Sequence, residues 1–336
     1  MARSIVEETT IFEIDGKRLS TAARGDVGEK KVPGRQRVIL ANSKLFPCEG
    51  SHLLHTRRFL KSFKTLGYSF AEAGDEFDLT SLSRFDIIYF SNHGVAGQTS
   101  LSINQERFLL QVAESMAAPI FWYWHKLENR IREIFRDRYI LTGEQMLSEQ
   151  VSPSHKDAKI VAVENRNFVP LQFASYLQRS QVGTLPRSQA NLATYVGAPY
   201  KKHWNNALRR DPIRARVTYT PPFIPEWFRI NEYLTSEFSL GWHSDTNILN
   251  GVVGERVFDS LALGALIVTD SRFAESHTNG LAKFVSSQHE AEAYILATVS
   301  NQRRYSEIQR LGFLWARDFG TYQTVAESFL RKLQTL

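Results

Sequence analysis

The chain has 336 residues, 43% of them hydrophobic and 23% charged, a globular composition of about two domains that excludes a largely disordered chain. Its 41 Lys and Arg against 35 Asp and Glu leave a net charge of +6. The basic residues are scattered, without zinc-finger spacing or a basic heptad region. No nucleic-acid partner is expected, and a phosphate-bearing ligand or peripheral contact with an anionic membrane surface accounts for the excess. Cys48 is the single cysteine, and no apolar run reaches the length of a signal peptide or the ~18 residues of a membrane span, so the expectation is a soluble, cytoplasmic protein.

In chain order, residues 1–35 read as an N-terminal arm, with a hairpin turning at Asp15-Gly16, and a linker. Val38-Ile39-Leu40-Ala41 reads as a buried parallel strand, followed by a helix capped at Ser51 and closed at Leu66-Gly67. Strands follow at Phe85 to Phe90, Pro119 to Trp124 and Ile160 to Val163, with a helix from Arg107 to Met116. A second series has strands at Leu192 to Val196, Arg216 to Tyr219, Phe238 to Trp242 and Ala265 to Thr269, helices near Lys202 to Arg209 and Glu255 to Leu263, and a largely helical end from Ala291. Alternating strands and helices predict an α/β protein of two doubly wound, Rossmann-like parallel-sheet domains facing a cleft. The expected limits are 36–186 and 187–316, with 317–336 a closing helix packing back across both.

In open α/β sheets ligands bind beyond the carboxyl ends of the strands, so polar residues just after strands are the candidates. The helix opening at Gly254 offers free backbone N–H groups and a positive dipole end to a phosphate, with Glu255 and Arg256 in its first turn. Asp259 lies one turn after Glu255 on the same face, where a carboxylate can accept both hydroxyls of a ribose. Both acids also suit a solvated helix face. Lys201 and Lys202, after Gly197, suit a diphosphate or open solvent, and Arg256 suits a diphosphate clamp or a surface ion pair. His93, His125 and His243 each follow a strand, where each is a candidate base or sugar ligand; a structural histidine is the competing reading. They lack metal-ligand spacing, so no metal site is expected. The run Phe121-Trp122-Tyr123-Trp124 reads mainly as core, and Glu164-Asn165 as an acceptor contact or a loop surface.

The segment Glu255-Arg256-Val257-Phe258-Asp259-Ser260-Leu261-Ala262-Leu263-Gly264-Ala265, leading into a strand that ends Thr269-Asp270, resembles the Arg-x-Phe-Glu-x-x-Ala-x-Gly-Ala pattern of CgeB-like (spore-maturation-type) glycosyltransferases. Tyr195-Val196-Gly197-Ala198-Pro199-Tyr200 and Phe319-Gly320-Thr321-Tyr322 are similar to other parts of that family. The resemblance implies a GT-B fold and transfer of a sugar from a nucleotide-sugar donor to a glycan, lipid-linked or other acceptor, with no cofactor and no obligatory metal. It places Asp259 where the family has a ribose-binding Glu. Gly251 stands where related retaining enzymes carry another Glu, so Glu255 is the substitute candidate. His93, His125 and Glu255 are thus the catalytic candidates, and Gly197, Lys201, Lys202, His243, Arg256 and Asp259 the donor-binding ones. The acceptor is expected on the first domain, near Lys44 to Ser51 and His93. A non-catalytic nucleotide-sugar-binding module, or a nucleotide-sugar epimerase on the same fold, is the alternative.

Overall fold

The structure is a computed structural model that describes residues 9–14, 17–22, 36–48, 50–91, 100–122, 124, 127–143, 167–171, 173–219, 226–249 and 251–335. Strands β1 (Thr9–Ile14) and β2 (Lys17–Ala22) pair as an antiparallel hairpin. Six parallel strands then form a first sheet: β3 (Arg37–Ala41), β4 (Ser69–Ala73), β5 (Ile87–Phe90), β6 (Ala118–Trp122), β7 (Ile140–Gly143) and β8 (Phe168–Pro170), in the order β4-β3-β5-β6-β7-β8.

The central strands are apolar throughout because both faces are covered, as in parallel sheets generally. Val38, Leu40, Ile87, Tyr89, Ile120 and Trp122 pack on one face against Phe59, Leu60 and Phe63 of α1 (Gly50–Ser62) and the 3-10 turn Phe63–Leu66. Ile39, Ile88, Phe90, Phe121 and Leu141 pack on the other against Leu109 and Val112 of α2 (Ile103–Glu114) and Ile131 and Phe135 of α3 (Glu128–Phe135). Phe121 and Trp124 are core as read, Phe121 stacking on Phe90 at 4.9 Å.

Three details differ from the sequence reading. Helix α1 begins at Gly50, so Ser51 is its second residue and not its cap. Helix α2 begins four residues before Arg107, where Ser102 and Gln105 form a reciprocal capping box. The sequence reading omits β4, a half-exposed edge, and β7, which is no shorter than β5 and whose Ile140, Leu141 and Thr142 are buried. The expected strand at Ile160 to Val163 lies outside the described residues.

The second sheet holds β9 (Asn191–Gly197), β10 (Arg216–Tyr219), β11 (Ser236–Gly241), β12 (Leu266–Thr269) and β13 (Ala282–Phe284), all parallel, in the order β10-β9-β11-β12-β13. Its helices are α4 (Lys202–Leu208), α5 (Glu226–Leu234), α6 (Asp245–Leu249), α7 (Glu255–Leu263), α8 (Arg272–His277), α9 (Gln288–Val299) and α10 (Gln302–Phe319), with α11 (Tyr322–Leu333) closing the chain. The long helical end is divided by polar N-caps. Ser287, Asn301 and Thr321 each accept a backbone N–H three residues ahead and so open α9, α10 and α11.

Between α10 and α11 the chain crosses back. Ser175 N–H donates to Gly320 O at 2.7 Å, and Tyr322 N–H donates to Ser175 O at 3.0 Å. Val325, Ala326 and Phe329 of α11 then join the core of the first sheet, Phe329 lying 5.0 Å from Phe59. Both sheets start at an inner strand, step to one side and return to the other. The crevice at that reversal, between β3 and β5 in the first sheet and β9 and β11 in the second, is where doubly wound sheets bind ligands.

Candidate functional site

At the reversal of the second sheet, β9 ends at Gly197 and β11 leads into Trp242 and His243. Arg256, the second residue of α7, reaches into this gap. Its Nη1 donates to Trp242 O at 2.8 Å, and its guanidinium lies 5.1 Å from the Tyr195 ring centroid. Gly197 is what admits it. The residue sits at φ +154°, and a Cβ there would collide with Arg256 Nη2. Gly264 closes α7 in the left-handed region at φ 83°, where a side chain would meet Phe313 and Arg187. Lys201 Nζ lies 3.6 Å from Asp245 Oδ1 and beside the Trp204 ring, whereas Lys202 is exposed. His243 is buried; its Nδ1 lies 3.0 Å from Asp270 Oδ1, and its Nε2 accepts the Gly254 N–H at 3.4 Å.

The two acids of α7 face a different place. Glu255 Oε1 lies 2.8 Å from Arg58 Nη1 and 3.4 Å from His55 Nδ1, both on α1 beneath the first sheet. Its Oε2 accepts from Arg229 Nη1 of α5 at 2.8 Å, and Arg229 Nη2 lies 3.1 Å from Asp259 Oδ2. The two guanidiniums flank the Tyr176 ring at 5.2 and 5.6 Å from its centroid. Glu255 thus ties the two sheets together, and Asp259 is 0% exposed behind Arg229 rather than facing an open cleft. The solvated-face reading of α7 is therefore incorrect for both acids. Sequence reasoning did not reach Arg58, His55 and Arg229. The one cue was that two acids on a largely apolar helix need counter-ions if that helix is buried. His93, His125, Glu164 and Asn165 lie outside the described residues.

The electrostatics separate the acids. Burial pushes Glu255 up, but His55, Arg229 and Arg58 outweigh it and hold the carboxyl well below the usual range, so it is a counter-ion and a poor proton acceptor. Burial dominates at Asp259 and, with the like charge of Glu255, lifts it to about 7 against the pull of Arg229. For Arg229, burial works against the charge, and Asp259 and Glu255 more than offset it. Burial also raises Cys48, which makes that buried thiol a weak nucleophile. Among the described residues no group of His, Cys, Asp or Glu is arranged to hold a metal ion, and no helix is long and apolar enough to cross a membrane.

An alpha-glucosyltransferase in complex with UDP and a 13-mer DNA containing a central A:G mismatch superposes with a TM-score of 0.56 at 9% identity, over 90% of this chain and 100% of that one. The chain has the GT-B fold. HepE of Anabaena, solved with UDP-glucose, is similar at a TM-score of 0.48 and 10% identity, over 89% of this chain and 100% of that one. No protein-family model and no curated protein matches the chain.

Within this GT-B framework the raised carboxyl has a measurable consequence. A carboxyl whose folded pKa exceeds its unfolded value of 3.8 favours the folded state at low pH, and that contribution is lost as pH rises through about 7. Tyr233 and Tyr322 also face this cluster, and burial raises both phenols above their ordinary value, so they stay neutral across that window. Asp259→Asn removes the titration. Its stability relative to the parent should rise between pH 5 and pH 8 by on the order of 2 kcal/mol, read by denaturant unfolding. An unchanged difference across that range would mean that Asp259 is ionised throughout it and that its carboxyl is not raised.

Proposed function

We propose that the chain is a glycosyltransferase that binds a nucleotide-sugar donor at the reversal of its second sheet. The carrying observation is the convergence there of the α7 N-terminus, Arg256 and Gly197. The UDP named for the similar alpha-glucosyltransferase structure supports the same reading. In this reading the first backbone amides of α7 and the Arg256 guanidinium hold the diphosphate. Both interactions strengthen as the leaving group gains charge. Lys201 and Lys202 add positive charge at the rim, and His243 stands behind the same turn. Glu255 and Asp259 serve as partners of Arg58 and Arg229 instead of acting on the sugar, and Glu255 ties the donor domain to α1. A ribose role for Asp259 would require Arg229 to move aside. On sequence grounds His93 and His125, each after a strand of the first domain, are the proposed acceptor-side groups. The domain limits proposed are 36–186 and 187–316, with 317–336 returning to the first domain, and the acceptor is a glycan, a lipid-linked saccharide or a related hydroxyl.

The test is a thermal-shift panel of nucleotide sugars and nucleoside diphosphates, followed by donor turnover in the presence of EDTA. A ligand that binds only the folded state at 100 times its Kd stabilises it by about 2.7 kcal/mol. A rise in melting temperature with one nucleotide family, and turnover that survives the chelator, are expected. A flat panel would remove the donor reading. Loss of turnover restored by manganese would remove its metal independence. Binding with no release of nucleoside diphosphate would favour a non-catalytic module.

A further inference from the structure

The cap of α7 is unusual. Gly254 has no side chain with which to cap the helix, and the N3 residue is Val257, which cannot return a hydrogen bond to the cap as Glu or Gln would. His243 occupies that role from 11 residues away, its Nε2 accepting the Gly254 backbone N–H at 3.4 Å. A ring nitrogen can accept only if it carries no proton, so the proton of a neutral ring sits on Nδ1, which faces Asp270 Oδ1 at 3.0 Å. The same Asp270 oxygen accepts the His243 backbone N–H at 3.0 Å, which fixes the ring and its chain together. The preceding residue, Trp242, holds Arg256 through its carbonyl at 2.8 Å. Two adjacent residues after β11 therefore grip the first turn of α7 at both its cap amide and its arginine. The amides of Glu255 and Arg256 have no acceptor among the described residues.

We propose that His243, oriented by Asp270, is a positioning residue that pins Gly254 and so aims the free amides of α7 and the Arg256 side chain at the donor diphosphate. This rests on the donor-site reading above, but the pinning itself is a property of the unliganded chain. His243 touches no donor atom in this account. It acts by setting where the cap of α7 lies, and the required form is the neutral imidazole with its proton on Nδ1.

The experiment compares His243→Gln with His243→Phe. Glutamine can place an amide oxygen where Nε2 stands and keeps an acceptor for Gly254, whereas phenylalanine keeps the ring volume and loses the acceptor. Hydrogen exchange of the unliganded chain should show the Gly254 amide exchanging faster in His243→Phe and close to the parent rate in His243→Gln. UDP titrated into the same three proteins should bind roughly tenfold more weakly to His243→Phe, with most of the affinity recovered in His243→Gln. A purely packing role predicts the reverse order, with phenylalanine tolerated and glutamine damaging, and that order would overturn the proposal. So would a spectrum of the 15N-histidine-labelled parent with the His243 proton on Nε2. If the parent binds no nucleoside diphosphate, the donor reading fails, and the exchange rates and the tautomer still decide whether His243 pins α7.

Discussion

Arg229→Met is expected to lower the stability of the unliganded chain by about 3–5 kcal/mol, the usual cost of removing one partner from a buried charge pair. Arg229 stands between two carboxylates, one 7% exposed on its side chain and the other 0%. Glu255 keeps Arg58 and His55 when Arg229 is removed. Asp259 loses the guanidinium that opposes its burial and answers by holding its proton more tightly. A folded pKa moved further above the unfolded one removes stability as pH rises, so the deficit should be larger at pH 8 than at pH 5. For a domain of 150–250 residues a loss of this size corresponds to a melting temperature lower by about 6–20 °C. The double variant Arg229→Met/Asp259→Asn should recover part of the loss, because the two side chains are directly coupled. Calorimetry at both pH values checks this. A melting temperature within a degree of the parent would mean that the cluster is solvated and that its carboxylates need no counter-ion.

Arg256→Ala should act on turnover and leave the fold nearly intact. The guanidinium is half-buried, and its loss forfeits one hydrogen bond to Trp242 O and a cation–π contact with Tyr195, together about 1–2 kcal/mol. If it meets the diphosphate, its interaction grows as the sugar leaves, so kcat should fall by about 10²–10³ while donor affinity falls by roughly tenfold. Arg256→Lys should restore only part of the rate. A lysine ammonium is shorter and lacks the rigid planar fork that spreads separate donors towards Trp242 O and a phosphate oxygen. Steady-state kinetics with direct donor titration separates the two quantities. An unchanged kcat beside a large fall in apo stability would reduce Arg256 to a helix anchor, and the donor site would have to be sought elsewhere.

The signals legible along the chain are local ones. Apolar runs such as Val38-Ile39-Leu40-Ala41 and Leu266-Ile267-Val268 read as strands because a parallel strand covered on both faces shows itself within a few residues. The limits of α7 at Gly254 and Gly264 were likewise written in backbone-permissive residues at its two ends. From the order of elements followed the doubly wound domains, from the ends of strands the places of Gly197 and His243, and from the helix opening at Gly254 the place of Arg256. How charges pair across long stretches of chain emerges only in the folded molecule. Glu255 meets Arg58 across 197 residues and Arg229 across 26, and His243 meets Asp270 across 27. No periodicity encodes such pairs: Glu255 meets Arg58 only once the two sheets close on each other, and His243 meets Asp270 only once β11 and β12 lie side by side. That closure also removes Asp259 from water, which is why a residue that reads as a cleft-facing acid is instead a buried carboxyl with a raised pKa.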